Sequence, residues 1–121
     1  MKKVVVVAAV AATLLATPAQ AMSVREVLDT AAAIPRNPTA FLRSDTRRLF
    51  NEVNNGFATV RSEQAAARRA GRRPASCMPG NVSLSSQRLL ARLNAIPSAR
   101  RDISVTQALR EWVADLYPCP D

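Results

Sequence analysis

Apolar residues recur at intervals of three and four positions in four separate segments, and this spacing constrains the fold more than any other feature of the chain. The clearest run is Leu49, Phe50, Val53, Phe57 and Val60, which has the period of an amphipathic helix. Strand patterns are too short to found a sheet: residues 82–84 span three positions, and the valines of residues 4–7 belong to a leader. The sequence predicts an all-α domain of about four helices.

Helix-capping residues and helix breakers mark the ends of these segments. Ser23 and Ser104 are followed three positions later by Glu26 and Gln107, which is the capping-box pattern. The four predicted helices begin at Ser23, at Ser44 with Asp45, at Ser85 or Ser86, and at Ser104; they end before Pro35, at Gly71, at Pro97 and at Pro118.

The pattern also predicts which residues form the core. Phe41 and Leu42, on a short turn that starts at Asn37-Pro38, are expected to be core anchors, and Trp112 is expected to pack inside. The second helix would be about 39 Å long at 1.5 Å per residue. Its last turns, residues 64–70, offer only alanines to a core, so we expect them to project from the domain or to contact something else.

The first 21 residues have the pattern of a secretory signal peptide. Lys2 and Lys3 precede an apolar stretch over residues 4–16, and Ala-Gln-Ala occupies residues 19–21. The apolar stretch is shorter than the roughly 20 residues that a membrane-spanning helix needs. We therefore predict an exported, periplasmic protein in which residues 22–121 form one helical domain without an integral membrane segment.

Two cysteines, Cys77 and Cys119, lie in the predicted mature chain. An even pair in an oxidising compartment predicts one disulfide. It would join the loop before the third helix to the end of the fourth, and closing a loop of roughly 43 residues is worth about 4 kcal/mol when the geometry is relaxed.

The missing residue types argue against catalysis. The chain has no His, and its only lysines are Lys2 and Lys3 in the leader, so neither a His-activated nucleophile nor a Schiff-base amine is available. Two distant cysteines do not supply a zinc site, and three glycines do not form a dinucleotide or phosphate loop. The acids fall mostly on predicted helix surfaces. We predict a protein that is not an enzyme and has no cofactor or metal.

Arginine is the only cation of the mature chain, and its densest cluster is Arg68, Arg69, Arg72 and Arg73. The cluster is either a solvated face or an anion-binding patch, because guanidinium groups pair bidentately with carboxylate and phosphate. Tyr117 is expected to pack against the disulfide with its hydroxyl directed to a partner or to water. We therefore assign these five residues to partner binding. Nucleic acid is not expected, since the interleaved aromatic residues of single-strand binding are absent.

The order of short motifs in residues 77–120 resembles the Rap/Tai family of periplasmic immunity proteins. These motifs are Cys-Met-Pro at residues 77–79, a helix over residues 89–96 ended by Pro97, Ala-Leu-Arg-Glu at residues 108–111 and Tyr-Pro-Cys-Pro at residues 117–120. The resemblance implies a small, exported, helical, disulfide-linked protein, often dimeric. It also implies binding and inhibition of a peptidoglycan amidase delivered by a type VI secretion system, with the loop at residues 71–80 or the arginine-rich helix end inserted into the partner.

Two other function classes stay open. One is an envelope-stress binding protein or chaperone, and the other is a module that binds an anionic envelope polymer through its arginines. Binding through arginines should weaken steeply with salt, whereas binding through packed apolar surface should not. The identity of the partner and the formation of a homodimer are left undecided by the residues alone.

Overall fold

Within residues 21–120, which the computed structural model describes, four α-helices and two short 3₁₀ segments follow one another without a β-strand. The all-α prediction is confirmed. Of the predicted leader, residues 1–21, only Ala21 is described; residues 1–20 lie outside the described residues. The α-helices are α1 (Val24–Ala33), α2 (Ser44–Arg69), α3 (Ser86–Asn94) and α4 (Val105–Leu116); the 3₁₀ segments are Pro38–Leu42 and Ser98–Arg100.

Three of the helices begin at a serine cap, as predicted. The hydroxyls of Ser23, Ser85 and Ser104 each accept a hydrogen bond from the backbone N–H three residues on, at 3.1, 3.2 and 3.1 Å. Each bond satisfies a donor that the first helical turn leaves without an intrahelical partner. Local sequence therefore sets the start of α1, α3 and α4.

The end of α2 at Gly71 is also confirmed. Gly71 has φ +69°, a left-handed conformation that favours glycine because it has no Cβ. The N–H of Arg72 donates to the carbonyl of Ala67 at 2.8 Å, and the N–H of Gly71 donates to that of Arg68 at 3.1 Å. This pair of bonds is the Schellman arrangement that closes a helix.

The last turns of α2 do not project from the domain; of the two predicted alternatives, the structure shows the contact with another segment. Gln64 and Ala67 are buried beneath the loop at residues 71–80. The side-chain amide of Gln64 donates to the carbonyl of Met78 at 3.1 Å and accepts from its N–H at 2.8 Å. One glutamine thus supplies backbone partners to a loop segment that no helix or sheet satisfies.

The core forms where α4 packs across α2 and α1. Trp112 is 5% exposed, which confirms its predicted core position, and Leu109 and Val113 are fully buried. A Cβ placed on Gly56, in the middle of α2, would lie 2.6 Å from Leu109 Cδ1. The absence of a side chain at Gly56 therefore allows α2 and α4 to approach closely.

The N-terminal ends of α1 and α4 lie side by side. The N–H of Val24 donates to the carbonyl of Ile103, and the N–H of Val105 donates to that of Met22, both at 2.9 Å. These bonds form an isolated antiparallel bridge between Ser23 and Ser104. The two serine caps, 81 positions apart in the sequence, are thereby adjacent in space.

The predicted disulfide between Cys77 and Cys119 is present, with a Cα–Cα distance of 4.9 Å. It joins the loop that follows α2 to the residues that follow α4. The N–H of Cys77 also donates to the carbonyl of Tyr117 at 2.8 Å. The C-terminal end of the described chain is therefore fastened to the loop both covalently and by a backbone hydrogen bond.

Candidate functional site

The described residues form an apolar groove with a volume of about 350 Å³. Its floor and walls come from α1, α2, α3 and the extended segment that precedes α3. Arg61 is the only ionisable residue in the lining, and the lining contains no acid. The residues that form it are Val27, Ala31, Leu49, Phe50, Val53, Asn54, Phe57, Arg61, Met78, Val82, Leu84, Ser85, Ser86, Leu89 and Leu90.

The groove exists because α2 carries more apolar residues than α4 covers. Leu49, Phe50, Val53 and Phe57 recur at helical spacing, so they lie along one face of α2. That face is only partly covered by the turn and loops beside it. Arg61 extends the row, and its Nη1 donates to the carbonyl of Pro79 at 3.2 Å, which fixes the guanidinium at the groove wall.

An apolar ledge, defined here as Phe41, Leu42 and Phe50, continues the groove onto the surface. Phe41 and Leu42 are 67% and 79% exposed, so the prediction that they anchor the core is wrong. Ala40 is the buried residue of their 3₁₀ segment. Phe41 instead stacks on Phe50, with ring centroids 6.4 Å apart, and Phe50 is itself 47% exposed.

The arginine cluster lies at the opposite end of α2 from the ledge. Arg68 and Arg69 are in the last turn of α2, and Arg72 and Arg73 follow Gly71; all four are exposed. Arg73 Nη2 donates to the carbonyl of Cys119 at 2.7 Å. Arg68, Arg69 and Arg72 make no ion pair within the described part of the chain. Cations in a last turn also interact favourably with the helix dipole.

A second cavity, of about 280 Å³, lies beside the cluster. Arg72 and Arg73 line it together with Glu63 and Arg110. Arg110 Nη2 donates to Glu63 Oε1 at 2.7 Å, and Arg110 Nε contacts both carboxylate oxygens. These hydrogen bonds hold the pKa of Glu63 below its usual range and raise that of Arg110. The positive charge of Arg110 is therefore compensated, and that of Arg72 remains open to an anion.

Tyr117 directly follows α4, and its carbonyl accepts a hydrogen bond from the N–H of Cys77 at 2.8 Å. It is half-buried and packs against the core beside the disulfide. Sequence reasoning assigned it to partner binding with the four arginines, but it missed the groove and the ledge. Their signal was present in the apolar face of α2, whose length exceeds what a helix of twelve residues such as α4 can cover.

The described residues contain neither a cluster of metal-ligating side chains nor a candidate membrane-spanning helix. Between residues 21 and 120, no three side chains of the metal-ligating types are grouped so that they could hold an ion. Over the same residues, no helix combines the length and the apolar character needed to cross a membrane.

Comparison with protein families, curated proteins and solved structures found no significant match. The described structure itself defines an all-α protein with four helices and one disulfide. The likeness of residues 77–120 to Rap/Tai proteins stays a prediction.

Proposed function

We propose that this chain is an exported, non-catalytic binding protein that docks a partner protein on the face formed by the apolar groove and the apolar ledge. The observation that carries the proposal is the open apolar groove, beside which lie the exposed large hydrophobic side chains of the described residues, Phe41, Leu42 and Phe50. Contiguous exposed apolar surface of this kind marks interaction sites. The resemblance to Rap/Tai proteins supports the same class, and the disulfide is compatible with export.

The ledge favours a macromolecule over a small ligand. A small molecule held in the groove would leave Phe41 and Leu42 in water, whereas a protein segment laid across both would cover them. Aromatic side chains are also common anchors at protein interfaces. The occupant that fits is an amphipathic segment of a partner.

Charge selects an acidic segment. Arg61 is the single charge of the groove lining, and the chain after the leader has 15 arginines against 9 acids. A carboxylate on the partner would complement Arg61, whereas a second copy of this basic chain would meet like charge. In the immunity reading, the segment belongs to a secreted peptidoglycan amidase and docking blocks its active site.

The test immobilises the oxidised protein and captures binding proteins from an envelope extract at low and at high salt. Two matched variants each place a glutamate on α2: Phe50→Glu in the groove and Asn55→Glu on an exposed face away from it. We expect the unmodified protein and Asn55→Glu to retain a stoichiometric partner at high salt, and Phe50→Glu to lose it. The purified partner is then assayed for peptidoglycan hydrolysis with and without the protein.

Three other outcomes decide against parts of the proposal. Equal capture by both variants would place the partner elsewhere on the surface. A partner without peptidoglycan-cleaving activity would exclude the amidase. Capture of many unfolded envelope proteins would favour the chaperone reading, which uses the same apolar face.

A second candidate function, binding of an anionic envelope polymer, is favoured by one observation: Arg68, Arg69 and Arg72 are exposed and hold no acid within the described residues. The probe is purified lipopolysaccharide. Replacing these three arginines by glutamine should reduce binding and flatten its dependence on salt. The matched control replaces Arg36, Arg47 and Arg88, which are also exposed and without a described ion pair, and should have a smaller effect. Equal effects would mean that overall charge, and not the cluster, binds the polymer.

A further inference from the structure

Met22 enters the fold in a defined position. Its side chain is 1% exposed, and its carbonyl accepts a hydrogen bond from Val105. Its backbone N–H donates to Glu52 Oε2 at 3.3 Å. Ala21, immediately before it, is exposed. The backbone nitrogen of Met22 therefore lies against a carboxylate.

Glu52 is unusual among the carboxylates of this arginine-rich chain. It is half-buried, and within the described residues no arginine lies within ion-pair distance of it. The two other half-buried carboxylates, Asp45 and Glu111, pair with Arg43 and Arg100 at 2.8 and 2.9 Å. Burial disfavours an uncompensated charge, so a half-buried carboxylate is expected to have a cation beside it. Glu52 lacks the cation that Asp45 and Glu111 have.

We propose that the Ala21–Met22 bond is the processing site, and that the ammonium released at Met22 is the cation that Glu52 binds. In this step water adds across the amide: its oxygen joins the carbonyl carbon of Ala21, which leaves with the leader as a carboxylate, and both of its protons pass to the nitrogen of Met22, whose N–H becomes an ammonium. The hydrogen bond already present between Met22 and Glu52 becomes an ion pair. A leader peptidase of the exporting cell is the catalyst.

The ion pair between Met22 and Glu52 would stabilise the junction of three helices. The N-terminal ends of α1 and α4 meet beside Met22, and both carry partial positive charge. An ammonium added there meets like charge, which a carboxylate must offset. Glu52, reaching over from α2, fastens a third helix to this junction.

The composition of the chain offers a selective probe. Its only lysines, Lys2 and Lys3, lie before the processing site, so the amine of Met22 would be the single aliphatic amine of the mature protein. An amine-reactive acetyl ester would neutralise that group alone. The acetyl group keeps one N–H for Glu52 and occupies the exposed space of Ala21, so it removes charge without removing the hydrogen bond.

The experiment exports the full chain, determines the N-terminal residue and mass of the product, and measures Tm before and after acetylation. We expect a product that begins at Met22. Acetylation should lower its Tm by about 4–8 °C, which corresponds to roughly a fivefold change in the unfolding equilibrium of a domain of this size. In Glu52→Gln, acetylation should not lower Tm and should raise it slightly, because the ammonium then meets only the like charge of the helix ends.

The control variant is Asp29→Asn, which removes an exposed carboxylate without a described ion pair and should keep the full effect of acetylation. Glu52→Gln alone also removes any interaction of the carboxylate with the helix ends. Only the difference between the two acetylation shifts therefore reports the ammonium. Equal shifts with Glu52 and with Gln at that position, or a product that begins at another residue, would overturn the proposal.

Discussion

At the scale of single residues, the side chain of Gln64 holds a loop backbone in place, a role that its polar character does not predict. It is buried, and it supplies both backbone hydrogen-bond partners of Met78. Its position on a helix segment rich in alanine and arginine gave no apolar signal, because the partner it satisfies is a loop backbone. A contact of this kind depends on where the loop folds back and not on helical spacing.

Replacing Gln64 by leucine should lower the free energy of unfolding by about 1–3 kcal/mol, since the buried N–H and carbonyl of Met78 would lose their partners. Urea denaturation measures the loss. The matched control is Gln87→Leu on the exposed face of α3, which should change stability little. Similar losses in the two variants would show that the amide of Gln64 is not what holds the loop.

The Glu63–Arg110 ion pair gives a pH dependence of known sign. Arg110 lowers the pKa of Glu63 in the folded state, so its stabilisation is present above the unfolded pKa of about 4.3 and is lost as pH falls through the lower folded value. Both side chains are more than a third exposed, and solvent screening limits the contribution to about 0.5 kcal/mol.

Glu63→Gln should therefore reduce stability slightly at pH 7 and make no difference near pH 2, as measured by denaturation at both values. Asp29→Asn, which removes a carboxylate with no described ion pair, should show no such change between the two conditions. A larger cost of Glu63→Gln at acidic than at neutral pH would contradict the assignment.

At the scale of elements, serine caps, the glycine stop and helical spacing located the four helices because each signal acts within a few residues of the bond it predicts. The 3₁₀ segment at Pro38–Leu42 is different. Apolar residues on a turn are buried only if a neighbouring element covers them, and the described structure leaves Phe41 and Leu42 mostly exposed.

Leu42 is exposed and Leu93 is buried, so we expect their replacement by alanine to change the free energy of unfolding by very different amounts. Leu42→Ala should change the free energy of unfolding by less than about 0.5 kcal/mol, because the side chain is 79% exposed. Leu93→Ala, at a fully buried position of α3, should cost about 2–5 kcal/mol. Thermal or urea unfolding of the two variants makes the comparison, and similar costs would place Leu42 in the core after all.

At the scale of the whole molecule, the disulfide ties the loop after α2 to the end of α4 across 42 positions of sequence. Replacing both cysteines by serine should lower the free energy of unfolding by about 4 kcal/mol, chiefly because the unfolded chain regains loop entropy. Reducing the unmodified protein provides the matched comparison in denaturation experiments. A loss below about 1 kcal/mol by both routes would mean that the unfolded state is not restrained by this bond.

The helices, their ends, the core position of Trp112 and the pairing of the only two cysteines could be predicted from the amino-acid sequence, because they follow from local hydrogen bonding, periodicity and a single available partner. The groove, the exposed ledge, the buried Gln64 and the contact of Met22 with Glu52 were decided only by tertiary structure. The groove and the ledge depend on which face of a helix stays uncovered. The contacts of Gln64 and Met22 depend on which distant segment lies beside them. That information lies in the packing of α2 against α1 and α4 and not in any one stretch of sequence.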